Sequence, residues 1–263
     1  MTLQKAIILA IMQGVTEFLP ISSSGHLVLT RSLIGVSDVP ILFDLILHLG
    51  TVTATVVVYY RKIWEILRDL GRRGEAARGN TRLFLYIIVS TVITALVGFL
   101  FKGTIVGLFQ NPSAVSAFLI VTGVILFATR YAQKGTRQID EARIHVPLVI
   151  GFVQSFAMLP GISRSGSTIS AGLFMGLDRE LSASYSFLLS IPSVFGAVIF
   201  EYMRSHQYLY QSMGFAVVIV AFLFSLISGY AALRILLKFV QGGRLWVFSF
   251  YCFVVAALGL ILL

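Results

Sequence analysis

Six stretches of this 263-residue chain stay apolar for about 20 residues, the length a helix needs to cross the hydrocarbon core of a bilayer. They lie at roughly 41–60, 82–101, 113–130, 181–202, 214–236 and 245–263. Lipid offers no hydrogen bonds, so a spanning segment must satisfy its own backbone, and runs of this length do so as helices. Charge scarcity excludes the soluble alternative. Only 12% of the residues are charged, against roughly 25% in an ordinary soluble domain. The fold expected is an all-α integral membrane protein of six transmembrane helices in a single membrane domain, 1–263.

The formal net charge is +9, but the bases are not spread as a nucleic-acid surface would need. Seven Lys and Arg fall within 61–82, between two apolar runs. Alternate loops divide 15 to 4 in Lys and Arg, with Arg164 set aside as intramembrane. The rich side, which carries 61–82, 130–143, Arg179 and 234–244, is expected in the cytoplasm. Lys5, Arg31, Lys102 and Arg204 then face outward, as do both termini. Lys5 precedes a short apolar run, but Gln13, Glu17 and Pro20 follow in place of a cleavage site, so the segment reads as part of the mature protein. The one cysteine, Cys252, allows no internal disulfide and reads as a small packed residue.

Two further apolar stretches are broken in the middle. The first, about 3–35, is interrupted at 19–26 by Leu-Pro-Ile-Ser-Ser-Ser-Gly-His; the second, about 145–176, at 159–167 by Leu-Pro-Gly-Ile-Ser-Arg-Ser-Gly-Ser. Each arm is too short to span, Pro and Gly stop the first arm, and Ser offers N-cap oxygens to the second. The expected shape is a re-entrant helical hairpin in each case. The two stretches also match. Gln13, Ser22, Ser24 and Gly25 fall on Gln154, Ser163, Ser165 and Gly166 at an offset of 141, and weaker apolar matches continue at 142. One hairpin plus three spanning helices per half gives an inverted-topology repeat, about 1–130 and about 144–263, with a site near the midplane.

Polar groups at membrane depth are costly and usually functional. If the two tips meet, Glu17, Ser23, His26 and Arg164 share one pocket. Both second arms would point their N-termini into it, which suits a phosphate. Gly25 and Gly166 allow close backbone approach, and Ser22, Ser24, Ser163, Ser165 and Thr168 add hydroxyls. Arg164 offers a bidentate phosphate contact. Gln13 and Glu17, spaced i, i+4, could hold a hard divalent cation through oxygen. Ser23 with His26 supplies a nucleophile and a base, and a metal-activated water is the alternative. Asp44 and His48 are expected to bond each other or line the pocket, and Glu201 and Arg204 to be interfacial.

The run Gln13-Gly-Val-Thr-Glu17-Phe-Leu-Pro20-Ile-Ser22-Ser23-Ser24-Gly25-His26 resembles the first signature of the BacA-type undecaprenyl-diphosphate phosphatases. Pro160-Gly-Ile-Ser163-Arg164-Ser165-Gly-Ser-Thr168 resembles the second, and the resemblance extends over essentially the whole chain. It implies hydrolysis of an isoprenyl diphosphate to the monophosphate on the outer side of the bacterial cytoplasmic membrane, which recycles the lipid carrier for cell-wall synthesis and confers bacitracin resistance. It also implies a divalent metal, Mg2+ or Ca2+, with Gln13 and Glu17 as the metal-associated pair. Ser23 and His26 then correspond to nucleophile and base, and Arg164 to diphosphate binding. Gln13 departs from the Glu that many members carry, and leaves the site one negative charge short. Membrane lipids and the isoprenyl diphosphate are the expected partners, a homo-oligomer is compatible, and nucleic acid is not expected. The competing reading is an isoprenyl-phosphate flippase.

Overall fold

Pro20 forces the residue before it out of helical geometry, and Leu19 accordingly sits at φ −57°, ψ 138°. The first broken stretch therefore divides into α1 (Leu3–Phe18) and α2 (Ser23–Leu33), which pack on each other. The second divides in the same way into α7 (His145–Phe156) and α8 (Arg164–Phe174), with Gly161 at φ +99° in the turn. These observations come from a computed structural model describing residues 2–36, 39, 41–212 and 214–262.

The remaining helices are α3 (Ile41–Asp69), α4 (Glu75–Leu100), α5 (Lys102–Leu108), α6 (Pro112–Ala128), α9 (Arg179–Ser212), α10 (Phe215–Gln241) and α11 (Phe248–Leu262). Among the described residues six helices are long and apolar enough to cross a membrane, namely α3, α4, α6, α9, α10 and α11, two of them extended by a 3₁₀ turn. The chain is a multi-pass membrane protein. Large apolar side chains such as Leu96, Phe99, Ile227 and Val254 point away from the protein, as helices facing hydrocarbon require. No β-strand occurs among the described residues; the sole pairing of that kind is an isolated bridge between Arg137 and Leu177.

The basic stretch 61–82 is less of a loop than its composition suggests. α3 runs on through Arg61 and Arg68, bending at Tyr59 (φ −102°, ψ 15°), and stops before Gly71. Nothing in 61–69 breaks a helix, so it continues past the apolar run. Lys62 Nζ donates to Asn80 Oδ1 at 2.9 Å, and Asn80 Nδ2 to Asp69 Oδ2 at 2.7 Å, which ties the ends of α3 and α4 together. The short α5 lies between two of the six apolar runs. The Glu201 and Arg204 side chains lie outside the described residues.

The first helix of each broken stretch is held chiefly by the other half of the chain: α1 packs on α10, and α7 on α4. Both contacts depend on small residues. A Cβ on Gly14 would meet Ser225 O at 2.6 Å and Gly229 N at 2.8 Å; one on Gly151 would meet Ser90 Cα at 2.8 Å. Hydrocarbon gives apolar helices no reason to leave lipid for each other, so close van der Waals approach is what holds them. We expect Gly14→Ala to overpack this contact and cost about 1–3 kcal/mol, seen as a lower melting temperature in detergent. Gly196→Ala, at a position where an added Cβ meets nothing within 4 Å, should leave it unchanged.

Candidate active site

The two turns touch. A Cβ on Gly25 would lie 3.1 Å from Gly161 Cα, and one on Gly166 would lie 3.1 Å from Pro20 Cβ. Ser165 Oγ also donates to Phe18 O at 3.1 Å. The second turn is pinned from α6: Thr122 Oγ1 donates to Gly161 O at 2.8 Å and accepts from Ser163 N at 2.9 Å.

The two second arms begin alike. Ser22 Oγ accepts from Gly25 N at 3.2 Å, and Ser163 Oγ from Gly166 N at 3.1 Å. Ser22 Oγ lies 3.2 Å from Ser24 Oγ, and Ser163 Oγ 3.3 Å from Ser165 Oγ. The first-turn N–H groups of Ser23, Ser24, Arg164 and Ser165 have no carbonyl of their own helix to bond. Two positive helix ends thus converge where the turns meet.

Glu17, the last turn of α1, lies at the centre. One carboxylate oxygen accepts from the Arg164 guanidinium of α8. The other accepts from Ser23 Oγ at 2.6 Å and from Gln13 Nε2 at 3.0 Å. Gln13 Nε2 also donates to His48 Nδ1 at 2.8 Å, and that nitrogen lies 3.4 Å from Glu17. A carboxylate out of water needs a partner of opposite charge and hydrogen bonds to its lone pairs, and this one has both.

His26 faces elsewhere. Its Nδ1 lies 2.8 Å from Ser22 O, a contact only an N–H can make, so Nε2 is the acceptor and Tyr251 OH donates to it at 2.9 Å. The two rings stack at 5.5 Å and 11°. Ser22 holds φ 68° and ψ 96°, a conformation a non-glycine residue adopts only when its surroundings compel it. His26 engages this residue twice, its backbone N–H and its ring both bonding Ser22 O. The structure therefore brings Ser23 to Glu17 rather than to His26. Thr168 is likewise engaged internally, donating to Arg164 O at 2.8 Å with its hydroxyl 2.6 Å from that of Ser186.

The family description "Bacitracin resistance protein BacA" matches residues 6–258. The chain belongs to the BacA family. An undecaprenyl-diphosphatase of Desulforapulum autotrophicum is 39% identical, the alignment covering 99% of this chain and 98% of that protein. Undecaprenyl-diphosphatases of Halothermothrix orenii and Methanosphaera stadtmanae are 38% and 37% identical, over 100% and 98% of this chain and 98% and 96% of theirs.

In this BacA-family chain the Gln13–Glu17 pair, as arranged, does not fit a chelated divalent cation. Such an ion wants oxygen donors, whereas Gln13 turns its amide N–H₂ toward Glu17. Its Oε1 is buried without a partner, and Glu17 is already neutralised by Arg164. Among the described residues no three His, Cys, Asp or Glu side chains converge on a metal position. Asp44 corrects a second expectation: it pairs with Arg31, not with His48. The alternative expected for His48, a place lining the pocket, agrees with its contacts to Gln13 and Glu17. Tyr251 and Thr122 carried no local signal, because each sits in an unbroken apolar run.

Removing one member of a buried ion pair costs more than removing both. Arg164→Ala should lower unfolding stability by about 3–5 kcal/mol, and a double-mutant cycle with Glu17→Ala should return a coupling above about 1 kcal/mol. Thermal melts of the four proteins in one detergent give the answer.

Proposed function

We propose that the chain hydrolyses undecaprenyl diphosphate, or a closely similar isoprenyl diphosphate, to the monophosphate and inorganic phosphate. The observation that carries this is the hydrogen bond from Ser23 Oγ to Glu17 at 2.6 Å, set between two helix N-termini and beside Arg164. A neutral serine is a weak nucleophile until a base takes its proton, and Glu17 is in place to do so. Arg164 passes from Glu17 to the incoming diphosphate, neutralising charge on the phosphate oxygens and leaving Glu17 free to accept a proton. Ser23 Oγ attacks the terminal phosphorus. The bridging P–O bond breaks, and the isoprenyl monophosphate leaves. Water then cleaves the phosphoserine, releasing inorganic phosphate and restoring the hydroxyl. The helix N-termini bind the transferred group through N–H donors. Mg2+ or Ca2+, where the reaction uses it, would arrive on the diphosphate rather than on Gln13 and Glu17.

The reading extends to topology. Residues 3–35 and 145–176 are re-entrant hairpins of an inverted repeat. Support comes from the reciprocal packing of α1 on α10 and α7 on α4, and from the matching Ser22 and Ser163 caps. The split of Lys and Arg supports putting the first hairpin on the outer side of the cytoplasmic membrane, where the reaction would recycle the lipid carrier of wall synthesis and confer bacitracin resistance. The same reciprocal packing favours a second reading, movement of isoprenyl phosphate across the membrane. A Ser23–Glu17 pair has no use in movement alone, which places hydrolysis first.

Purified protein should release phosphate from a long-chain isoprenyl diphosphate. Ser23→Ala, Glu17→Ala and Arg164→Ala should each lower kcat by about 10²-fold or more. Full turnover in both the Glu17 and Arg164 variants would overturn the site. In liposomes, headgroup movement without phosphate release would replace hydrolysis by transport.

A further inference from the structure

α1 is held on α10 and α11 on α6, so the outer faces of α1 and α11 diverge and leave a groove of about 650 Å³ between them. Ile11 and Val15 form one wall, Val247 and Phe248 the other, and Ile21 the floor. No charged side chain lines it among the described residues. Thr16, one of its two hydroxyl-bearing residues, donates to Met12 O of its own helix at 2.6 Å. The other is Tyr251, 44% exposed, whose hydroxyl donates to His26 at 2.9 Å.

The groove is apolar along its walls and reaches the first turn at one end, where Tyr251 bonds His26. Ile21, in its floor, leads directly into Ser22 and Ser23. Its volume falls within the roughly 300–1,000 Å³ of small-molecule clefts. A partner helix, about 10–12 Å across with its side chains, would not bring a phosphate to Ser23.

We propose that this groove binds the head-proximal isoprene units of the substrate, with the Tyr251 ring as the platform on which the first units pack. The proposal rests on the phosphatase reading and adds to it where the tail lies. The groove is too small for an undecaprenyl chain, so the remaining units stay in the bilayer. Selectivity is then set by the first few units and not by total length. A methylene-scale change in an apolar pocket shifts specificity by about tenfold or more, and groove-filling substitutions should act on this scale.

The test compares farnesyl with dimethylallyl diphosphate, one long enough to enter the groove and one barely so. Ile11→Trp and Val247→Trp, which fill it from opposite walls, should each lower the kcat/KM ratio of farnesyl to dimethylallyl by about tenfold. Leu96→Trp, on an outward face of α4, should leave the ratio at its original value. An unchanged ratio in both groove variants overturns the proposal. A second readout does not depend on hydrolysis: a farnesyl diphosphate analogue with a benzophenone in its tail, photolysed with the unsubstituted protein. Cross-links on 8–21 and 247–251 are expected. Cross-links elsewhere overturn the groove even if the enzyme is active. Cross-links in the groove without phosphate release retain the groove and overturn the phosphatase reading instead.

Discussion

The ion pair between Glu17 and Arg164 is the interaction on which the rest of the structure depends. It joins two segments 147 positions apart in the chain, each too short to cross a bilayer alone. Neither charge is tolerable in the protein's interior without the other. The pair holds the two turns together, and the turns in turn set the N-termini of α2 and α8 toward one point. In the proposed reaction this pair is the bond that a diphosphate exchanges for its own charge.

Around that pair the two turns share a frame and differ in their charged groups. Both turns end in a serine cap and a glycine at the same spacing, and a side chain from a late helix of each half attends the turn: Thr122 on the second, and Cys252, whose Sγ lies 4.0 Å from Pro20 O, on the first. At the offset of 141 Glu17 falls on Met158, Ser23 on Arg164, and His26 on Ser167. One segment carries the carboxylate and the serine hydroxyl bonded to it, the other the guanidinium. Two identical halves would have placed two carboxylates, or two guanidiniums, in one small volume, at a Coulomb cost that low polarity enlarges.

His26 illustrates how a residue can sit in the motif without meeting the serine beside it. A histidine three positions after Ser23 invites assignment as its base. On the first turn of α2, however, its ring folds back on the Ser22 carbonyl, and its remaining nitrogen is taken by Tyr251 from the far end of the chain. Its ring and its backbone N–H both bond the carbonyl of Ser22, the positive-φ residue before Ser23. Gln13 shows a similar limit, since the i, i+4 spacing put it beside Glu17 but could not say which end of the amide would face the carboxylate.

The sequence by itself determined that this is a multi-pass helical membrane protein, where the apolar core of each of its six long helices lies, and where two apolar stretches break. These are local matters of run length, proline geometry and capping, and a helix in lipid has few alternatives. It also singled out Glu17, Ser23, His26 and Arg164, because polar groups are conspicuous against hydrocarbon. Only the tertiary structure decided the pairings: Ser23 with Glu17, His26 with Tyr251, Asp44 with Arg31, and Gln13 with His48. Those choices depend on which helix faces which across the protein, and in an apolar run one face reads much like another. The groove between α1 and α11 belongs to the same class, being a gap left by two helices that each pack on a different neighbour.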